Sequence, residues 1–290
     1  MLDRLAPFGF VLLWSSSFIA ARVGLRHLSP LLFVAVRMWV CAATLVAAML
    51  LLRRSWRPLR GMVWVHCAVA GVLINAVLLM TAHVAMTRLP AAPVALVQTL
   101  NPLLTAALAW PLLGEQMRPV QWLGLLLGTA GVVLIVGLAA LHSQVELHLL
   151  LLTVLGVLAL CGGTLYFGRF CRGVPLLEGT TVQFLASAAA CSVAMAVFET
   201  PHADWTPGAI GAIAWNAAFV SLGGMVLYFV MLRRGTAARA TANFYLMPGT
   251  AALMAWALLG ESLAMLSVVG LAVSSLGCWL MGGHRRGARR

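Results

Sequence analysis

Ten mostly apolar stretches follow one another along the chain, at roughly 5–24, 30–52, 61–86, 91–111, 119–139, 147–168, 176–198, 208–232, 236–258 and 262–282. Each approaches the ~20 residues that carry a helix across a hydrocarbon layer. The stretches are almost continuously apolar, so lipid and neighbouring helices, not water, are the expected surroundings. Barrel strands are shorter and alternate, and these stretches do neither. The breaks hold arginine, proline, glycine or acidic residues, as in Arg53-Arg54 and Arg233-Arg234-Gly235. They are too short for a soluble domain. The first stretch begins with Arg4, but its apolar part is long and nine more follow, so it is read as a retained helix and not a leader.

Composition agrees with this pattern. The chain is 62% hydrophobic and 9% charged, against about 25% charged in a soluble domain. Its net charge is +12, and all 19 basic residues are arginine. They sit in the gaps and form no basic stripe with interleaved aromatics, which excludes nucleic acid as a partner. The gaps alternate instead. With the N-terminus in the cytoplasm, fifteen arginines fall inside, among them Arg57, Arg60, Arg118, Arg172, Arg285, Arg286, Arg289 and Arg290. Only Arg22, Arg26 and Arg88 fall outside, and Arg37 lies within a span. That bias places both termini inside.

An internal repeat at a constant offset of 146 residues is the strongest signal. "NPLLTAALAWPLLGEQ" (Asn101–Gln116) answers "MPGTAALMAWALLGES" (Met247–Ser262). Pro102 pairs with Pro248, Trp110 with Trp256, Gly114 with Gly260 and Glu115 with Glu261. The same offset pairs Gly124 with Gly270 and Gly131 with Gly277. Five spans per half is an odd number, so the second half enters the membrane from the opposite side. The expected fold is an all-α membrane protein of ten transmembrane helices, arranged as two inverted five-helix repeats at 1–146 and 147–290.

Several residues carry a resemblance. They are "LLWSSSFIAARVGL" in the first span, Arg37 in the second, "LLGE" followed by "GLLLGTAGVVL", and "LLGE" again before "VGLAVSSLG". With these the chain resembles the drug/metabolite transporter superfamily, in its ten-helix group with two EamA-type repeats. Within that group it is closest to bacterial exporters of aromatic and other neutral amino acids. The resemblance implies a multi-pass protein of the bacterial inner membrane. It implies metabolite export through a central cavity lined by the first four helices of each half, the fifth being peripheral.

The residues themselves offer a site. Ala91, Val94, Gln98, Asn101 and Thr105 share one face of the fourth span at spacings of three or four. Asn75 in the third span is the counterpart of Ser221 in the eighth, and Tyr228 shares the face of Ser221. His83 lies near the outer end of the third span and is read as a hydrogen-bonded aromatic, with proton coupling as the alternative. Trp14 and Ser17 open the first span against Tyr166 in the sixth. Phe244 and Tyr245 stand where the first half has Gln98 and Thr99. An amide-rich wall facing an aromatic one suits a zwitterion with an apolar side chain. Pro102 and Pro248 remove a backbone donor at matched positions and are read as hinges. Arg37 is read as a brace on helix ends through backbone carbonyls, and Glu115 and Glu261 as caps on the helix that follows each.

The partners expected are a small-molecule substrate and membrane lipid. No cofactor is expected: nucleotide-binding and metalloprotease motifs are absent, and His142, Glu146 and His148 read as a solvated loop. The six cysteines lack zinc spacing and read as small buried side chains. Fixed cations for a sugar phosphate and a mid-span carboxylate for an organic cation are both missing. That leaves neutral or zwitterionic solutes ahead of multidrug export, and ahead of an intramembrane enzyme.

Overall fold

The computed structural model describes residues 2–54, 61–89, 94, 97–141, 146–259 and 265–282. Of the positions named above, Arg57, Arg60, Ala91, His142, Gly260, Glu261, Ser262 and the four C-terminal arginines lie outside them. The described chain is helical, without strands, and its helices begin and end where local chemistry directs. Helix α1 is Leu2–Gly24 and α2 is Pro30–Leu51, the latter started by a proline at its first position. Proline is suited to that place because its missing N–H would be unsatisfied there anyway. Helix α3 (Met62–Met86) contains a π-helical segment at Val72–Val77. Helix α4 (Leu100–Leu113) ends on Gly114 at φ +68°, a left-handed conformation that glycine adopts without strain. Then come α5 (Pro119–Leu141), α6 (Leu147–Phe170) and α7 (Leu176–Phe198). Helix α8 (Pro207–Arg233) is capped by Thr206, whose hydroxyl accepts from Ala209 N, and has a second π segment at Asn216–Gly224. Helix α9 spans 237–259 with a 3-10 turn at Asn243–Leu246, and α10 is Met265–Gly282. Six of these, α1, α2, α3, α6, α7 and α8, are long and apolar enough to cross a membrane, and α4, α5 and α10 are shorter apolar helices.

The polarity of the packed molecule is that of a membrane protein. Leu50, Leu51, Phe198, Trp110, Trp256 and Trp279 are exposed, while Ser15, Arg37, Asn75, Asn101, Gln183 and Asn216 are buried. In lipid this arrangement is favourable, because polar groups gain from turning inward to one another.

Contacts tie α2 to α7, α1 to α8 and α9, and α6 to α3 and α4. The closest pair is α5 with α10. They run antiparallel: a Cβ built on Gly124 would meet Gly277 O at 2.7 Å, and one on Gly131 would meet Gly270 O at 2.5 Å. Glycine is required there because backbone lies directly against backbone. Helices α2 and α7 are antiparallel too, with Trp39 Nε1 donating to Ser192 Oγ at 2.9 Å and Leu31 N to Glu199 at 2.9 Å.

Two clasps join distant turns at opposite ends of the bundle. At one end Glu199 accepts from Ser29 Oγ, Leu31 N and Leu32 N, and His27 lies 3.2 Å from Asp204. At the other end both Glu115 oxygens accept from Ala237 N, at 3.2 and 2.9 Å, and Arg172 lies 3.9 Å away. Arg172 also donates to Leu232 O and Gly235 O, and Arg233 donates to Val174 O. The expected cap on the next helix in sequence is therefore corrected. Glu115 serves the N-terminus of α9, where the orphan N–H groups and the helix dipole both favour a carboxylate. Burial pushes its carboxyl above the usual range, against the opposing pull of Ala237 N–H and Arg172.

Candidate functional site

The π segments explain why the middle of the bundle is irregular. A π turn widens the helix by one residue and re-aims the side chains around it, and such turns recur at functional sites. Asn75 lies in the first, and Asn216 and Ser221 lie in the second. Asn216 reaches α1, where its Oδ1 accepts from Ser17 Oγ at 2.9 Å. Trp215 Nε1 donates to Ser16 Oγ, and Ser15 Oγ donates to Met247 O. The serine run of α1 thus holds α8 and α9 close to it.

Between α1, α3 and the start of α4 lies a small cavity. Trp14, Ser17 and Phe18 line it from α1, Leu79 and His83 from α3, and Gln98 from the far side. The space open to water centres is about 20 Å³, room for roughly one water and not for an amino acid.

Trp14 lines the cavity, and behind it lies an aromatic cluster, the floor of the site. Phe10 packs against Trp14 at 5.2 Å, stacks on Tyr228 at 5.4 Å, and meets Phe244 edge-on at 5.6 Å. Tyr228 hydroxyl is held by Thr164 at 2.8 Å. Such ring clusters give apolar area with defined geometry. They could pack against a substrate ring, or block its path.

His83 of the cavity wall belongs to a set of buried, incompletely paired polar groups on α2, α3, α4 and α7. Arg37 Nε donates to Ser221 Oγ at 2.7 Å. His83 stacks on Phe33 at 5.5 Å, and its Nδ1 lies 2.8 Å from Leu79 O. Thr105 donates to Asn101 Oδ1 at 3.3 Å. Arg37 Nη1, both amide atoms of Asn75, His83 Nε2, Asn101 Nδ2 and Gln183 Oε1 have no partner. Unpaired buried groups are rare because each forfeits its hydration. These six atoms keep free hydrogen-bonding capacity inside the bundle.

The structure thus brings Trp14, Ser17, His83 and Gln98 to one cavity, and Tyr228 and Phe244 to its floor. Asn75, Asn101 and Ser221 lie buried on the neighbouring helices. Two of the expected residues are elsewhere. Tyr166 hydroxyl bonds His66 Nδ1 at 2.6 Å, in a cluster with Phe170 at the end of α3 near its start. Tyr245 turns to α5, bonding Thr129 at 3.0 Å over Gly128. Both prolines follow helix irregularities: a turn at Thr99 precedes Pro102, and the 3-10 turn precedes Pro248. Arg37 meets a side-chain hydroxyl, not the backbone carbonyls expected of a brace. Asn216, His66 and the buried Glu178 at the start of α7 were not singled out by sequence reasoning. Asn216 had a signal, an amide four residues after Ala212 on the face that later carries Tyr228's neighbours, but its partner Ser17 is too distant in sequence for periodicity to find. Among the described residues no three metal-ligating side chains meet.

Comparisons with known proteins place this geometry. The EamA-like transporter family matches the chain twice, over residues 5–137 and 147–283. The uncharacterized inner membrane transporter YedA of Escherichia coli (strain K12) is 26% identical over 272 residues, 92% of this chain and 86% of that protein. The uncharacterized transporter YvbV of Bacillus subtilis (strain 168) is 23% identical over 266 residues, 90% and 85% of the two chains. One solved protein structure shares the fold at a TM-score of 0.81 and 22% identity, covering 96% of this chain and 95% of its own.

Proposed function

The chain belongs to the EamA-like transporter family, within the drug/metabolite transporter superfamily, and we propose that it exports small neutral or zwitterionic metabolites, amino acids with aromatic side chains among them. It is a multi-pass membrane transporter. In the reading proposed, ten spans form two inverted halves, 1–146 and 147–290, with both termini cytoplasmic. The packing supports this division, because the pairs α1–α8, α1–α9 and α2–α7 become α6–α3, α6–α4 and α7–α2 when each helix is exchanged for its counterpart five places on, and α5–α10 maps onto itself. So do the two family matches and the π segments at equivalent places.

One observation carries the substrate class: a small cavity with amide, hydroxyl and imidazole walls and an aromatic cluster behind Trp14. Among the described residues it contains no carboxylate to attract an organic cation. For alternating access, the clasp at Glu115 closes the cytoplasmic end and must break for that end to open.

The test is counterflow in proteoliposomes with a panel of labelled amino acids and a panel of labelled organic cations. Saturable exchange of aromatic amino acids is expected. Exchange of the cations alone would replace the amino-acid reading with multidrug export.

A further inference from the structure

Arg37 is buried mid-span in α2, and among the described residues no carboxylate pairs with it. It is 1% exposed, on a helix packed against α3, α7 and α8. Its Nε has one partner, the Ser221 hydroxyl, and its Nη1 has none. The acid–base pairs among the described residues involve His27, Arg88, His148 and Arg172, not Arg37. A guanidinium removed from water and left without an anion is strongly unfavourable, and membrane arginines normally find a partner or a route to the interface. A merely structural brace would also be expected in both halves, yet its counterpart at the 146-residue offset is the neutral Gln183.

We infer that Arg37 anchors a carboxylate carried by the transported solute. The inference rests on the transport reading above and specifies its ligand. A guanidinium offers a fixed fork of donors that matches a carboxylate, and such charge-assisted bonds are the strong ones. Its surroundings lead to the cavity on two sides. Phe33, one turn earlier on α2, stacks on His83, which lines the cavity. Ser221 shares its π segment with Asn216, which bonds Ser17 of the cavity wall. The other unpaired atoms complete a zwitterion's needs. Leu79 O can only accept, so the His83 proton sits on Nδ1 and Nε2 keeps its lone pair. Asn75 Oδ1 is a second free acceptor. Arg37 takes the carboxylate, and these acceptors face an ammonium group. The asymmetry between Arg37 and Gln183 follows, since a solute with one carboxylate needs one anchor.

The test uses four matched probes in proteoliposome uptake: phenylalanine, phenylalaninamide, 3-phenylpropionate and phenethylamine. Wild type is expected to take up phenylalanine and 3-phenylpropionate and to discriminate against the amide and the amine. Arg37→Gln should weaken apparent affinity for the two carboxylates by about tenfold or more and erase the discrimination. Arg37→Lys should restore part of it, because the charge returns without the fork. Ser221→Ala keeps the charge but removes the hydroxyl that Arg37 Nε bonds, and should weaken the carboxylates by about threefold. If Arg37→Gln fails to fold, the lysine and serine variants decide, and an unchanged carboxylate preference in both overturns the anchor. Equal uptake of amide and acid by wild type overturns the anchor and leaves the transporter reading standing. Uptake of none of the four overturns both.

Discussion

The seam between α5 and α10 and the cavity between α1, α3 and α4 treat the repeat in opposite ways. At the seam the two halves are copies. Gly124 faces Gly277 and Gly131 faces Gly270, and the 146-residue offset turns each contact into the other. At the cavity the halves diverge. Trp14 corresponds to Leu160, Ser17 to Gly163, Arg37 to Gln183, Gln98 to Phe244 and Asn101 to Met247. A scaffold whose halves trade conformations gains from identical contacts on both sides of its axis, since neither arrangement is then favoured. A binding site gains nothing from being its own mirror, because amino acids and most metabolites have no twofold symmetry. In the reading proposed, movement and recognition therefore draw on different residues of one repeat.

The largest effect that would break this comparison lies at the seam. Gly131→Leu places a side chain where a single Cβ would already meet Ser274 Oγ at 2.4 Å and Gly270 O at 2.5 Å. Overpacking of this kind costs about 1–3 kcal/mol or more, and here both near atoms are held, one by backbone. The variant should lose most monodisperse protein on size exclusion, and Gly277→Leu should do the same. Gly162→Leu, with nothing within 4 Å of its Cβ position, should behave as wild type. A well-folded Gly131→Leu protein beside a collapsed Gly277→Leu one would show that the two sides of the seam are not equivalent.

The seam glycines were legible in the sequence as a repeat at one offset, but the repeat does not say that they bring α5 against α10. The helices were legible because lipid imposes length and composition on every span, and Pro30, Pro207 and Gly114 mark ends by local conformational chemistry alone. The cavity was legible in part. Periodicity places Gln98 and Asn101 on one face and Asn75 opposite Ser221 in the repeat, but it does not name the neighbour that each face meets. Tyr245 lies one residue from Phe244, and in the 3-10 turn one residue decides between α5 and the cavity floor. The π segments leave no trace in hydropathy, since an extra residue in a turn does not change what the turn is made of. Glu115 looked like a local cap because capping is usually local, and its real partner, Ala237, lies 122 residues on.

A smaller effect is expected at the prolines, where the halves are copies in sequence but lead into different walls. Pro102 frees the carbonyl of Gln98, which lines the cavity, and Pro248 frees that of Phe244 in its floor. Replacing either with alanine restores a backbone donor and stiffens the helix without removing a side-chain contact. Turnover should fall by about tenfold, the equivalent of roughly 1.4 kcal/mol on the barrier, with apparent affinity little changed. Cysteine accessibility measured from each face should shift in opposite directions in the two variants. Wild-type turnover in both, with unchanged accessibility, would make the kinks passive packing features.

The smallest effect is a pH dependence of the clasp at Glu115, and its sign is fixed by burial. The carboxyl is held above its ordinary value chiefly because closure takes it out of water. An acid whose value is raised in the closed state binds a proton more tightly there than when the turn is open and hydrated. Closure is therefore opposed by ionisation, fully above the raised value, and that opposition is relieved as pH falls through it. Arg172 at 3.9 Å and the Ala237 N–H work the other way but do not outweigh desolvation. Lowering pH should thus favour the clasped arrangement at Glu115. Cys171, buried beside Arg172 in that turn, is a built-in reporter: in a variant retaining only this cysteine, its alkylation relative to a denatured control should slow as pH drops, beyond the loss expected from thiol protonation. Glu115→Gln keeps an acceptor for Ala237 N–H and cannot ionise, so the extra slowing should vanish and leave only the thiol's own titration. The change is expected to be about two- to fivefold, because the carboxyl is partly hydrated and its partners partly offset the burial. The Glu199 clasp at the opposite end supplies the contrast. Its carboxylate meets two backbone N–H groups and the Ser29 hydroxyl, and no arginine pairs with it among the described residues. Glu199→Gln should leave the pH profile of Cys171 unchanged, and a profile that moved with Glu199 instead of Glu115 would assign the proton to the wrong end of the bundle for this account.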